Sequence, residues 1–158
     1  MGRKKRLKGF IDLLSEYLGF NFNIDYFDHR LKLQKYVFIT IFFGFNHDYH
    51  YDLYVRGPYS TDLADDYYDI YRKGIDSDNS IEMDMDSFSS LIKDKHIDWI
   101  ESAATMLSLY NSCKSKYNNS NNFDSEGLIK GTNRIKHRIS INTIKNVYFD
   151  LREYDLFN

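Results

Sequence analysis

Arg30-Leu31-Lys32-Leu33-Gln34-Lys35-Tyr36, an apolar run to Phe45, and then Tyr51-Asp52-Leu53-Tyr54-Val55-Arg56-Gly57-Pro58-Tyr59-Ser60 decide how this chain is read. The second block holds its only proline, and the segment that follows closes at Arg72-Lys73-Gly74. Leu31 to Phe43 is apolar on nearly every side. Its β-branched Val37, Ile39, Thr40 and Ile41 would also suit a strand, and periodicity does not separate the two. Length and the leading Lys and Gln residues favour a buried helix, capped by Asp28 and ending near Gly44. Residues 49–55 alternate, with Tyr49, Tyr51, Leu53 and Val55 on one side and His50, Asp52 and Tyr54 on the other, the period of a half-buried strand. Gly57-Pro58 then marks a turn, since Pro58 fixes its own φ and keeps Gly57 out of the helical region.

Beyond that turn the spacing predicts a helix capped by Ser60 or Thr61. Asp62, Asp65 and Asp66 sit in its early turns and Arg72 and Lys73 in its last, which complements the helix dipole. Leu63, Tyr67, Ile70 and Tyr71 form its apolar stripe, and Gly74 is a natural stop. Upstream, Gly2 to Lys8 reads as a basic flexible arm, followed by a helix with Phe10, Leu13, Leu14, Tyr17 and Leu18 on one face. Downstream, a stripe from Phe88 through Tyr110, capped by Asp86 or Ser87, predicts a long helix broken near Lys95-His96. Residues 114–122 read as a polar surface loop, a short helix follows from Asp124 to Lys130, and Ser140 caps a last helix carrying Ile144, Val147 and Leu151. The expected fold is mainly α: a compact single-domain helical bundle over residues 1–158 with at most a short two-strand or extended Tyr-rich element, compatible with a winged-helix-like arrangement.

The 158 residues are 42% hydrophobic and 28% charged, ordinary for a globular chain. No apolar run approaches the roughly 20 residues that span a bilayer, and the basic start leads into an amphipathic stretch with Asp12 and Glu16 instead of a secretory signal. A cytoplasmic protein without membrane contact is expected. Cys113 is the only cysteine, so neither an internal disulfide nor a Cys-rich zinc site can be built. Tyrosine and phenylalanine, 14 and 12 in number, stand out. They predict a core built from rings, with a ring-lined binding face as the other reading. Net charge is −2 but unevenly spread: residues 48–86 hold eleven Asp/Glu against three Lys/Arg, and residues 1–35 hold eight Lys/Arg against four Asp/Glu. An acidic middle between basic ends suits a partner-binding protein at least as well as a DNA binder.

Few constellations suggest chemistry. His47, His50 and Asp52 form the only dense group of metal-ligand types, but no second ligand group is fixed near them, so no metal and no cofactor is assigned. The acids between Asp76 and Asp86 lack the glycine and closing glutamate of a calcium loop. Phosphate-cradling loops, nucleophile elbows and zinc-helix motifs are missing, so no catalytic residue is assigned. At the C-terminal end, a basic turn (Arg134, Lys136, His137, Arg138) followed by a capped helix with Lys145 outward could form a helix-turn-helix element.

Lys32-Leu33-Gln34-Lys35-Tyr36 and Gly57-Pro58-Tyr59-Ser60, with Leu63 and Asp66 following, resemble the motifs of the SocA-like or Panacea antitoxin family and its YwgA-like uncharacterised relatives. Arg56 stands where that family carries an aromatic, and the C-terminal element lacks the family's proline. The resemblance implies a compact helical domain, some of whose members act as antitoxins that bind toxin proteins. The expected function is therefore a non-enzymatic protein-interaction module whose partner is another protein, toxin-like or regulatory, with a homodimer allowed. Asp62, Asp65, Asp66, Tyr68 and Tyr54 are the expected contact residues, and Leu33, Gln34, Tyr36, Gly57, Pro58, Tyr59 and Ser60 the structural motif. The alternative is a winged-helix-like DNA-binding regulator using Lys4, Lys5, Arg134, Lys136, Arg138 and Lys145. A metal-dependent nuclease using the His47 cluster comes third.

Overall fold

A computed structural model describes residues 2–45, 47–78, 80–117 and 124–157. Seven α-helices and one two-stranded sheet are present among them: α1 (Gly2–Leu18), α2 (Phe27–Thr40), β1 (Asp52–Tyr54), β2 (Gly57–Tyr59), α3 (Thr61–Lys73), α4 (Met85–Ile92), α5 (Ile97–Tyr117), α6 (Ser125–Ile135) and α7 (Ile141–Glu153). The chain is mainly helical, as the apolar spacing predicts.

The ambiguous apolar run resolves as helix. Its residues from Leu33 to Thr40 are all buried, which a helix inside a core tolerates better than a strand without paired edges. A short 3₁₀ turn, Ile41–Phe43, tightens its end, and Gly44 takes a left-handed φ of 91°. Helix α3 also follows its sequence signals. The Ser60 hydroxyl accepts from the Leu63 amide, and Gly74 closes the helix at φ 60°.

Contacts gather the chain into two compact units. The first comprises the segment up to Asp52 together with Tyr59–Lys93, hence α1 to α4. Its interior is a cluster of rings around Phe88, which meets Phe10, Tyr36 and Phe43 edge-on at 5.7–6.1 Å. Phe10 also meets Phe45 at 5.6 Å. Edge-to-face pairs of this kind add roughly 0.5–1.5 kcal/mol each beyond buried area. Gly9 lets the chain come unusually close: a Cβ there would lie 2.2 Å from the Asp78 carbonyl oxygen, and the Asp78 amide donates to the Lys5 carbonyl of α1.

The second unit comprises Leu53–Pro58 and the chain after Lys93, hence α5, α6 and α7, which pack on one another. Ile100, Ala103, Ala104, Met106 and Leu107 of α5 and Ile144, Val147 and Leu151 of α7 are fully buried. Phe157 folds back to stack on Tyr148, the rings 5.3 Å apart and tilted by only 14°.

Several expectations are corrected. Gly2 to Lys8 is not a flexible arm: it forms the first turns of α1, with Leu7 buried. The strand expected over 49–55 shrinks to Asp52–Tyr54, and of the side that carries Tyr49, Tyr51, Leu53 and Val55 the last two are exposed. Asp28 lies in the first turn of α2, whose cap is Tyr26, and α4 is capped by Asp84, two residues before Asp86 and three before Ser87. Residues 114–117 are helical, because α5 continues to Tyr117; residues 118–122 of the expected surface loop lie outside the described residues.

Candidate functional site

The two motifs quoted first meet in the first unit. Gln34, wholly buried on α2, donates from Nε2 to the Ser60 carbonyl at 2.8 Å and accepts the Ser60 amide on Oε1 at 2.9 Å. A carboxamide paired this way mimics a neighbouring strand, satisfying both backbone groups just ahead of α3. The Tyr67 hydroxyl is hydrogen-bonded to the side chains of Gln34 and Tyr59, and burial pushes it far above the usual tyrosine range. Burial alone pushes Tyr36 up to about 12. Leu33, Gln34, Tyr36 and Ser60 are all buried; they hold the fold and offer no reacting group to solvent.

Asp66 is the centre of a second cluster. It is 2% exposed, accepts from Arg3 Nε at 2.8 Å and from the Tyr49 hydroxyl at 2.7 Å, and the Arg3 guanidinium lies 4.7 Å above the Tyr49 ring. Burial, and then the bond to Asp66, push the Tyr49 hydroxyl far upward, while the hydrogen bond that Arg3 donates to Asp66 raises Arg3. Asp66 therefore leaves the expected contact set: it ties α1 to α3. Asp69 is met in turn by Lys4 at 2.7 Å. Of the remaining expected contact residues on α3, Asp65 is exposed and Asp62 and Tyr68 are half-buried. Arg3 and Tyr49 carried no signal in the sequence, since Arg3 and Asp66 are 63 positions apart.

His47 is buried against Phe45, Tyr49 and Tyr51. Its Nε2 donates to the Val37 carbonyl at 3.0 Å and its Nδ1 accepts the Tyr49 amide at 3.3 Å, so both ring nitrogens are engaged. Burial holds the ring below the ordinary histidine range. His50 and Asp52 stand apart from it on the surface, 3.3 Å from each other. No group of three or more His, Cys, Asp or Glu among the described residues is arranged to hold a metal ion.

In the second unit the hairpin tip is both anchored and exposed. Lys136, 6% exposed, donates from Nζ to the Val55 carbonyl at 3.0 Å and to Glu101 at 3.2 Å. Arg56 lies 3.7 Å from the same carboxylate. Burial lowers Lys136 below its ordinary range, an effect the Glu101 charge opposes. Above this anchor Leu53, Tyr54 and Val55 face solvent, Val55 at 86% exposure. Lys136 therefore drops out of the expected phosphate-contacting set, whereas Arg134, Arg138 and Lys145 remain exposed. Lys4 is engaged by Asp69, and Lys5 is exposed.

No helix of the described residues is long and apolar enough to cross a membrane. No family model, no curated protein and no solved structure matches this chain.

Proposed function

We propose that the chain is a non-enzymatic protein-interaction module, of the kind its resemblance to antitoxins implies. The observation that carries this reading is the hairpin tip. Leu53, Tyr54 and Val55 present apolar surface to solvent on a turn fixed by Lys136, Arg56 and Glu101. A pre-ordered apolar projection binds at lower entropic cost than a loose loop, and aromatic side chains dominate binding energy where they are buried by a partner. The meeting of Gln34 with Ser60 supports the resemblance, because it gives both motifs one structural task. A photo-crosslinking residue in place of Tyr54, introduced in the producing cell, is expected to capture one protein species. Val55→Asp should abolish that capture. Diffuse labelling, unchanged by Val55→Asp, would remove the reading.

A second reading is favoured by the exposed Arg134, Arg138 and Lys145 on α6, the following turn and α7. If these meet DNA phosphates, affinity falls steeply with salt, and loss of any one lowers the slope of log affinity against log salt by about 1. Unchanged slopes in Arg138→Ala and Lys145→Ala exclude it.

A further inference from the structure

Helix α7 has two unlike faces. Ile144, Val147 and Leu151 are fully buried. On the side turned away from them Phe149 stands 54% exposed, and Ile141, about two turns earlier, 39%. The helical repeat sets Lys145 between the two, four residues from each, and Arg152 one turn beyond Phe149. Both cations are exposed, as is Arg138 in the turn ahead of the helix. Asn142, Asn146 and Glu153 complete the outward face, and Glu153, at its far end, is the only acid on it.

These cations have no task inside the chain. Lys95, Lys130 and Lys136 of the same unit each meet a carboxylate, whereas the side chains of Arg138, Lys145 and Arg152 have no ion pair or hydrogen bond among the described residues. An exposed ring at the centre of a patch, with cations and amides around it, has the make-up of a protein contact. The free cations set the charge of what covers it. A DNA duplex would meet them through its phosphates and would not need the ring. A lipid surface would call for a continuous apolar stripe, which Asn142, Asn146 and Glu153 interrupt.

We propose that the outward face of α7 docks an acidic amphipathic segment of a partner protein, whose apolar side chains cover Phe149 and Ile141 while its carboxylates pair with Arg138, Lys145 and Arg152. This surface rests on the protein-interaction reading and uses residues other than those of the hairpin tip.

The test titrates the full chain, labelled with ¹⁵N, with a synthetic peptide of about 18 residues that carries Leu and Phe at three- and four-residue spacing and Glu or Asp elsewhere. Its counterparts are the same peptide with Ser in place of every Leu and Phe, a short DNA duplex, and vesicles of phosphatidylglycerol and phosphatidylcholine. The amphipathic peptide is expected to shift the backbone amides of α7 saturably, with a dissociation constant at or below about 100 μM. The serine peptide should bind at least about tenfold more weakly. Phe149→Ser and Lys145→Glu, both at exposed positions, should each weaken the amphipathic peptide by about fivefold or more. Val55→Asp should leave it unchanged, so that the hairpin tip and α7 succeed or fail separately. Equal binding of the two peptides, tighter binding of the duplex or the vesicles than of the amphipathic peptide, full affinity in Phe149→Ser, or no saturable shift up to about 1 mM would each overturn the assignment.

Discussion

At the scale of single residues, the fold rests on polar side chains that complete the backbone. Gln34 is the clearest case, since truncating it would strand the buried amide of Ser60, whose carbonyl would keep only the Ala64 amide of α3. A stranded buried group costs about 1–3 kcal/mol. Gln34→Ala is therefore expected to lower stability by roughly 1–3 kcal/mol in urea titration, more than the ordinary loss of an exposed glutamine. A loss under about 0.5 kcal/mol would show that the pairing is incidental. Tyr51 has the opposite imbalance. Its hydroxyl is buried and has no hydrogen-bond partner among the described residues, and burial drives its pKa well up. Removing that oxygen discards an unpaid desolvation cost, so Tyr51→Phe should raise stability at neutral pH by about 1 kcal/mol.

At the scale of elements, α1 and the hairpin are each fixed by a contact that local pattern could not announce. Gly9 sits mid-helix, where glycine is about 1 kcal/mol worse than alanine by propensity. Gly9→Ala nonetheless should destabilise, because the new methyl would meet the Asp78 carbonyl at 2.2 Å and force the segment after α3 away from α1. Faster amide exchange at Asp78, whose N–H donates to Lys5, would report that displacement; a stabilised variant with Asp78 still protected would contradict it. The hairpin depends on Lys136 in the same way. Lys136→Met leaves Glu101 buried with only the longer Arg56 contact, which for a broken buried pair costs about 3–5 kcal/mol. The double variant Lys136→Met with Glu101→Leu should recover much of that loss while leaving Val55 fast-exchanging, separating the anchoring of the tip from stability. The elements themselves were legible wherever local chemistry decides them: Ser60 and Gly74 bound α3, Ser140 begins α7, and the 3.6-residue stripe marks α5. What was not legible was long-range. Lys136 looks like a phosphate contact until Glu101, 35 positions away, claims it; Gly2 to Lys8 looks like a frayed arm until Asp66 and Asp69 pair with Arg3 and Lys4. Residues 53–55 were expected half inside because the alternation of Tyr49 and Tyr51 was carried one turn too far along the chain.

At the scale of the whole molecule, a chain rich in buried tyrosine should be limited at alkaline pH sooner than its modest net charge of −2 suggests. Tyr36, Tyr49, Tyr51 and Tyr67 all ionise above their ordinary value of 10.0 in the folded state, burial being the leading cause in each. A raised folded value means that their contribution is fully present below pH 10 and is lost as pH rises beyond it, because only the unfolded chain then releases the proton. Each group removes up to about 1.4 kcal/mol per pH unit in that window. Lys136 acts in the other direction: its folded value lies below 10.5, so between the two values rising pH favours the fold. One lysine does not offset four tyrosines, and the net slope above pH 10 is downward. On the acid side His47, lowered by burial from 6.5, gives stability that is complete above pH 6.5 and declines as pH falls toward its folded value; His29, lowered by burial as well, adds to the decline. Thermal melts by circular dichroism between pH 5 and 11.5 should therefore show a plateau from about 7 to 10 with a fall on both sides. Replacing Tyr51 with phenylalanine should make the alkaline fall shallower, and His47→Gln should flatten the acid one. Absorbance near 295 nm gives the independent check: a late tyrosinate signal from Tyr36, Tyr49, Tyr51 and Tyr67 should appear only as the fold is lost. A single tyrosine transition near pH 10, completed while the helical signal is intact, would mean that these hydroxyls reach water in the folded protein and that the ring-built interior is not closed.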